Sequence, residues 1–457
     1  MKMKNKILLT LALLQFPVVN SQFSVVHSQR VMTLEECLAA ARTGNTKAKD
    51  AQNDILMAVE QQKLARSKYF PTLGASAFQF QSSDYLIKYS LLTKEQVETI
   101  NDNAESNLSV DDFTFGLIRK GTNVGLTLAE PLYTGGRVTN YNKLADLQVD
   151  ARNLQRDIAD DEIVMSTEFL YYKILELHVT DKTLQAMEKE LESIHQDAVN
   201  IWENGIVNKN DVLSVELVQD QLSALRIKTS NGCRLLRRAL AKHIGMPDED
   251  IDVDTTLNKD IVPPERLAVN VQTALENRSE TRLLDMLVEK SVLERKIAKA
   301  NMLPVLAVGA TASYSKFTSN SWNPRVMGFV GVQLPLSSFW SERHEYKRKM
   351  IEEQKANDFR QDKREMITLQ IQDAYDNLTS TYQQTQIARK SIGRAEENMR
   401  ISREHYQEGL TTMTALLDAQ RQQQQALTQY NAAVSEYLQA KTKYLILTGR
   451  RQDAKQK

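Results

Sequence analysis

Residue types that often carry catalysis or bind metal ions are present in this chain, but their spacing supports neither role. Neither Cys37 nor Cys233 shares a short motif with a histidine, and Gly135-Gly136 lacks the rest of a phosphate-binding loop. Two cysteines cannot build a disulfide framework, so unrelated thiols are the favoured interpretation and one bridge is the alternative. Six histidines are scattered without the spacing of metal ligands: His27, His178, His195, His243, His344 and His405. The sequence therefore predicts no catalytic residue, no metal, no cofactor and no enzyme.

The charge balance limits the class of partner. The 457 residues include 58 Lys+Arg and 58 Asp+Glu, so the formal net charge is zero. Nucleic acid is not an expected partner, because binding to phosphates requires a surplus of basic residues. A mean hydropathy of -0.43 excludes a bundle of transmembrane helices. With only 9 Pro and 16 Gly in so long a chain, long uninterrupted helices are expected.

The first residues have the pattern of a secretory signal peptide. Met1 to Lys6 is basic, Ile7 to Val19 is apolar, and Ser21 or Ser28 is a candidate position just before the cleavage site. No stretch reaches the ~18 apolar residues that a transmembrane helix needs. We therefore expect an exported chain, with residues 1–28 as its signal peptide and 451–457 as a polar tail.

The two halves of the chain repeat each other. At a constant offset of 233 residues Pro71 corresponds to Pro304, and further on an offset of 204 relates Gly205 to Gly409. Chance similarity does not keep widely spaced landmarks in register, so the chain is interpreted as a tandem duplication. The predicted repeats are residues 29–262 and 263–450. The change of offset indicates an insertion of 29 residues in the first repeat, predicted to be an exposed loop over about 82–120.

The first repeat opens with a predicted helix. Thr33-Leu-Glu-Glu36 is a capping box, and the helix that it begins is expected to run to about Lys68.

Four segments alternate between apolar residues and small or polar ones, as membrane β-strands do. A half-buried sheet of a soluble protein is the alternative that this pattern leaves open. The predicted strands lie at about 72–80, 122–134, 305–315 and 326–336.

Long helices follow the second strand of each repeat. No proline occurs from Val138 to Glu203, a stretch that would extend roughly 100 Å as one helix. Apolar residues recur there in steps of three, four and seven, which indicates supercoiled helices. A glycine then marks a turn, so each repeat is predicted to contain a helical hairpin, at 137–245 and 341–449. The apolar seam of the first hairpin includes Leu177, Leu184, Met187, Leu191, Ile194, Ala198 and Ile201.

This combination resembles the outer-membrane efflux protein family, the TolC-like channels of Gram-negative bacteria. The resemblance covers about Thr33 to Gly449. It rests on three strings taken together: Ala65-Arg-Ser-Lys-Tyr-Phe-Pro71-Thr-Leu73, Glu130-Pro-Leu-Tyr-Thr-Gly-Gly-Arg137, and Tyr406-Gln-Glu-Gly409 followed by Leu416-Leu417-Asp418-Ala419-Gln420.

The resemblance implies a mainly α protein with a β-barrel part that is shared between chains. Four strands cannot close a barrel, since single-chain outer-membrane barrels start at about eight strands. The family closes its barrel as a homotrimer, with twelve strands in the outer membrane and twelve helices in a periplasmic tunnel. Its members act as passive conduits, joined through a periplasmic adaptor to an inner-membrane pump. The alternative is a soluble periplasmic coiled-coil scaffold or adaptor without a pore.

The turns of the two hairpins are candidate docking sites for the adaptor. Apolar or small residues follow both glycines, and a soluble protein would gain nothing by exposing them at a turn. The alternative is that these turns merely reverse the chain. The candidate docking residues are Gly205, Ile206, Val207, Asn208, Gly409, Leu410, Thr411 and Thr412.

Three further residues are candidates for the tunnel entrance because of the resemblance. Asp418 matches a position at which family members place a carboxylate that narrows the entrance, although the second acidic position of that kind is Ala415 here. Tyr406 matches a tyrosine that helps to hold the entrance shut, and Trp202 is its counterpart in the first repeat. The alternatives are an ordinary solvated aspartate at Asp418 and coiled-coil packing at Tyr406.

Overall fold

A computed structural model describes residues 30–104, 108–255, 261–317 and 322–450. The predicted signal peptide, residues 1–28, and the predicted polar tail, residues 451–457, lie outside the described residues. None of the helices in the described ranges has the length and the apolar character needed to cross a lipid bilayer.

The two repeats share a series of two helices, two strands of the main sheet and two long helices, and the first repeat contains further elements. In the first repeat the elements are β1 (Arg30–Met32), α1 (Leu34–Gly44), α2 (Thr46–Ser67), β2 (Thr72–Gln81), β3 (Lys88–Ser90), α3 (Lys94–Ala104), β4 (Thr114–Gly116), β5 (Lys120–Tyr133), α4 (Arg137–Glu203), α5 (Lys209–His243) and β6 (Ile251–Val253). In the second they are α6 (Val271–Asn277), α7 (Ser279–Ala300), β7 (Val305–Lys316), β8 (Asn323–Gln333), α8 (Glu342–Gln407) and α9 (Met413–Leu447).

The element bounds confirm the duplication. Both ends of α7 lie 233 residues after those of α2, and both ends of α9 lie 204 residues after those of α5. These are the two offsets that relate the halves of the sequence. The confirmed class is a mainly α protein with long helical hairpins and a four-stranded sheet in each chain.

One helix predicted as continuous is broken. The sequence indicated a single helix from the capping box at Thr33 to about Lys68, but α1 ends at Gly44 and α2 begins at Thr46. Asn45 between them is extended, and its side-chain oxygen accepts a hydrogen bond from the amide of Lys47 at 2.8 Å. Its amide group also donates to the carbonyl of His243 at 2.8 Å. Because that second contact is tertiary, the break was not visible in the local pattern.

The insertion of the first repeat is partly ordered secondary structure, whereas the sequence indicated a loop. It contains α3 and a short hairpin in which β3 pairs with β4. Strands β2 and β5 continue into this hairpin, since the amide of Ser82 donates to the carbonyl of Arg119 at 2.8 Å and that of Leu86 to Ile118 at 2.6 Å.

The main sheet is antiparallel and open at both sides. Its strand order is β2-β5-β7-β8, so β2 and β8 are edge strands. The helices are also arranged in rows of four neighbours. In the part of the helical region that follows the sheet, α4 packs against α2 and α7, and α7 packs against α8. Farther along, α4 packs against α5 and α9, and α9 packs against α8. Each layer is therefore four elements wide.

The outer elements of the helical layers expose apolar side chains. In the described chain α2, α5 and α8 are the outer helices, and each carries large hydrophobic groups that no neighbour covers. Stripes of this kind mark surfaces that another molecule covers. They include Leu56, Met57 and Leu64 of α2, Leu213, Leu217, Ile227 and Leu235 of α5, and Ile351, Met366, Leu369 and Ile387 of α8.

Two hydrophobic clusters stabilise the helical part. The larger joins α1, β1, β6 and α6 to the long helices, and it includes residues of the parallel pair β1–β6. The smaller fills the far half of the two hairpins. Cys37 and Cys233 are both free and buried, so the alternative of a bridge between them is not realised.

A buried carboxyl group lies where the two repeats meet. Glu168 of α4 is 5% exposed, and the hydroxyl of Thr442 in α9 donates to its carboxyl group. Burial raises the pKa of Glu168 to about 7, against the smaller lowering effects of Thr442 and Lys441. The folded protein therefore holds a proton here that the unfolded chain has already released above about pH 4.5.

We predict a loss of stability with rising pH that depends on this group. The contribution of Glu168 is fully present below the unfolded pKa and is lost between about pH 4.5 and pH 7, on the order of 3 kcal/mol. Glu168→Gln should remove this part of the pH dependence and raise the unfolding temperature at pH 8 in detergent. The control is Glu203→Gln at the exposed end of the same helix. Equal pH profiles for the wild type and Glu168→Gln would contradict the prediction.

Candidate functional site

The two hairpin turns have the same backbone geometry. Each is a reversal in which the amide just after the glycine bonds back five residues, to the last full turn of the helix. These bonds join Ile206 to Ile201 at 3.1 Å and Leu410 to His405 at 2.8 Å. The glycines themselves are left-handed, a conformation that costs glycine little. Their φ values are +76° at Gly205 and +73° at Gly409.

Both turns expose an apolar side chain at the same end of the molecule. Ile206 is 74% exposed and Leu410 is 69% exposed. The hairpins lie side by side near their ends, since the Gln407 side chain donates to the carboxylate of Asp197 at 3.4 Å. The structure therefore brings the predicted docking residues together, and whether a partner binds them stays a prediction. Val207 and Thr411 are half-buried, whereas Asn208 and Thr412 are exposed.

Tyr406 and Trp202 do not occupy equivalent environments, although they correspond in the repeat. Tyr406 is 5% exposed and packs in the core of the far hairpins. Its hydroxyl has no hydrogen-bond partner among the described residues, and burial, with Asp211 and Asp197 nearby, raises its pKa. Trp202 is exposed, with the ammonium of Lys209 6.0 Å from its ring centre. The packing alternative for Tyr406 is thus realised within one chain, and a gating role stays a prediction.

Asp418 lies on the exposed polar face of α9, but it is not an isolated charge. The guanidinium of Arg421, one turn further along the helix, forms an ion pair with it. The sequence predicts a role for Asp418, whereas its pairing with Arg421 is evident only from the structure. The sequence signal for this pair is the spacing of three residues between opposite charges on a predicted helix, which places the two side chains next to each other. Exposed residues on this face of α9 are Thr414, Ala415, Asp418, Arg421, Gln422 and Gln425.

The register of the sheet separates an apolar face from a polar one. Leu73 lies opposite Leu128, and Ala312 lies opposite Val326, so apolar side chains adjoin across all four strands. The apolar face comprises Leu73, Ala75, Ala77, Val124, Leu126, Leu128, Val308, Ala310, Ala312, Val326, Val330 and Val332. The opposite face is small and polar over much of its area: Gly74, Ser76, Asn123, Gly125, Thr127, Thr311, Ser313 and Ser315.

Folding brings one cysteine next to a histidine and an aspartate, a combination that the sequence did not reveal. Cys233 Sγ lies 3.7 Å from His178 Nε2, and Asp252 Oδ1 lies 2.6 Å from the same nitrogen. Arg237 donates to the other oxygen of Asp252 at 3.1 Å. Cys233 is 55 residues from His178 in the sequence, and Asp252 is 74 residues from it. Because of these separations, the group does not form a short sequence motif.

This group does not have the geometry of a nucleophilic triad. A catalytic histidine uses one ring nitrogen for the nucleophile and the other for the carboxylate, whereas here both contacts converge on Nε2. The hydrogen bond to Asp252, followed by the contact with Cys233, raises the pKa of His178 to about 9. The group therefore acts as an ionic link that holds β6 against α4 and α5. Across the described ranges, no cluster of three or more potential ligands has the arrangement of a metal site.

Comparison with known proteins relates the second repeat of the chain to one family. Residues 270–449 match the sequence profile of the family described as outer membrane efflux protein. Comparison with curated protein sequences gives no match.

Solved structures extend the similarity to nearly the whole chain. The outer membrane protein VceC from Vibrio cholerae is 16% identical, with a TM-score of 0.73 over 91% of this chain and 96% of VceC. The outer-membrane channel OprN is 14% identical, with a TM-score of 0.74 over 91% of this chain and 89% of OprN. The MtrE outer membrane channel of Neisseria gonorrhoeae, in its open state, is 17% identical, with a TM-score of 0.72 over 91% and 88%.

The family match confirms the predicted location, the outer membrane of a Gram-negative bacterium with an extension into the periplasm. Residues 270–449 thus carry the sequence of the outer membrane efflux protein family, and 91% of the chain has the fold of these TolC-like channels.

Proposed function

We propose that three copies of this chain form a continuous channel, with a β-barrel in the outer membrane and a helical tunnel in the periplasm. The carrying observation is that every layer is four elements wide and ends in two uncovered edges. In lipid, an open sheet would leave unpaired backbone groups at several kcal/mol each. Pairing β8 of one copy with β2 of the next satisfies them and places α8 beside α2 and α5 of that neighbour.

The proposed channel is a passive conduit. It receives substrates through a periplasmic adaptor that joins it to an inner-membrane pump, and it releases them outside the cell. Energy is supplied elsewhere, in keeping with a chain in which no phosphate-binding loop was found. A soluble scaffold without a pore is disfavoured, because it would expose the apolar face of the sheet to water at a large cost.

The first prediction from this proposal concerns the assembly. Mass measurement of the detergent-extracted protein should give three chains. Ile227→Glu, which places a charge in the exposed apolar stripe of α5, should reduce the yield of this trimer severalfold. Gln425→Glu, on the exposed polar face of α9, is the matched control and should assemble normally. A folded monomer in lipid would refute the proposed barrel.

A second prediction concerns the proposed docking tips. Small apolar groups at Ile206 and Leu410 would pack against the helical hairpin of an adaptor, with Asn208 and Thr412 setting the register. The double variant Ile206→Asp and Leu410→Asp should abolish export and leave trimer yield and membrane insertion intact. The control double variant, Asn210→Asp and Thr414→Asp, adds the same charges one turn further along both helices. Normal export by the first variant at normal abundance would exclude docking through these side chains.

The third prediction concerns ion preference at the proposed entrance. If α9 lines it, three Asp418–Arg421 pairs surround the opening and their charges largely offset each other. Asp418→Asn should then shift the reversal potential toward anions and weaken block by multivalent cations severalfold. Arg421→Gln should shift both measurements in the opposite direction. Unchanged recordings in planar bilayers for both variants would return Asp418 to the role of a solvated surface residue.

A further inference from the structure

The polar face of the sheet carries a cluster that neither the family match nor the proposed mechanism accounts for. Once the apolar face contacts lipid, the other face lines the interior of the barrel. Among the described strand residues of that face, Arg325 of β8 is the one ionisable side chain. Three copies therefore place a ring of three positive charges inside the proposed pore.

Arg325 lies beside an aromatic ring of its own chain. Among the described residues no carboxylate forms an ion pair with it, and its guanidinium carbon lies 5.9 Å from the centre of the Phe317 ring. A guanidinium over an aromatic face is stabilised by the ring electrons and keeps its N–H donors available for another acceptor.

Two aromatic rings lie next to this charge, so that the surface combines a positive group with apolar rings. The rings of Phe80 and Phe317 lie 6.2 Å apart at the end of the sheet away from the helices. Both cross over Gly121, where an added Cβ would come within 2.5 Å of either ring. Glycine is therefore required for this close approach. Ser315, on the same face, is 1% exposed. These close contacts make the cluster a packed part of the sheet, at the end of the strands away from the helices.

From this geometry we infer that Arg325, with Phe80 and Phe317, is a specificity-determining collar near the outer mouth of the pore, selective for anionic aromatic solutes. Guanidinium groups pair with carboxylate, sulfonate or phosphate oxygens in a forked geometry, and the phenyl rings contact the flat apolar body of the solute. The inference rests on the proposed three-chain channel, because one sheet alone encloses no pore.

Planar-bilayer recordings of the full-length trimer test this inference. The probes are 1-naphthalenesulfonate and methanesulfonate, added on the extracellular side, together with the reversal potential in a KCl gradient. The wild type should be blocked more strongly by the aromatic anion than by the small one. Arg325→Gln should shift the reversal potential toward cations and weaken the aromatic block about tenfold, the expected size for losing one charge-assisted contact.

Three further variants separate the parts of the cluster. Arg325→Lys should restore the ion preference but only part of the block, since an ammonium lacks the planar fork. Phe317→Leu should weaken block by the aromatic anion while the preference for anions over cations persists. Lys316→Gln is the matched control, because it removes a positive charge from the lipid-facing side at a similar height on the neighbouring strand.

The outcomes separate this inference from the proposed function. A conducting trimer in which Arg325→Gln has the wild-type reversal potential and block overturns the collar and leaves the channel proposal standing. An equal effect of Lys316→Gln also overturns it, because the charge would then act through the surface rather than through the pore. An inserted trimer that conducts no current overturns both proposals.

Discussion

Unsatisfied edges are the constraint on which the rest of this structure depends. Among the described residues, no strand pairs with the outer side of β2 or of β8, and the outer helices continue the same boundary through the molecule. Since lipid offers no hydrogen bonds, the proposed channel covers these edges with the strands of neighbouring chains. The outer helices α2, α5 and α8 also expose apolar stripes that need to be covered. In the proposed channel, the same side-by-side contact between chains covers both the sheet edges and these helices.

Much of the fold was predictable because it is periodic and duplicated. Alternation of period two marked the strands, heptad spacing marked the hairpins, and the two offsets 233 and 204 reappear in the element bounds. The break at Asn45 escaped prediction because a contact with His243 fixes it from nearly 200 residues away. The order within the insertion was also missed, since a polar composition does not reveal that β3 and β4 extend the ladder of β2 and β5.

The candidate site was predictable in outline and not in its charges. Glycine spacing located both turns, but it did not show that Tyr406 is buried where Trp202 is exposed. Duplicated sequences preserve backbone geometry more faithfully than side-chain environments, because each copy packs against different neighbours. In the same way, the pairing of Asp418 with Arg421 and the isolation of Arg325 depend on which helix face or sheet face is solvated. Composition gives only the formal net charge of the whole chain, which is zero.

The insertion occurs in one repeat, whereas the glycine turn occurs in both. A ring of three such chains would therefore have six nearly equivalent turns at its periplasmic end but only three inserted modules at its outer end. Its symmetry falls from approximately sixfold to threefold along the axis. A partner that binds all six turns would contact two alternating kinds of turn, one that exposes Ile206 and one that exposes Leu410. The outer modules, free of any counterpart in the second repeat, can change in sequence without disturbing that alternation.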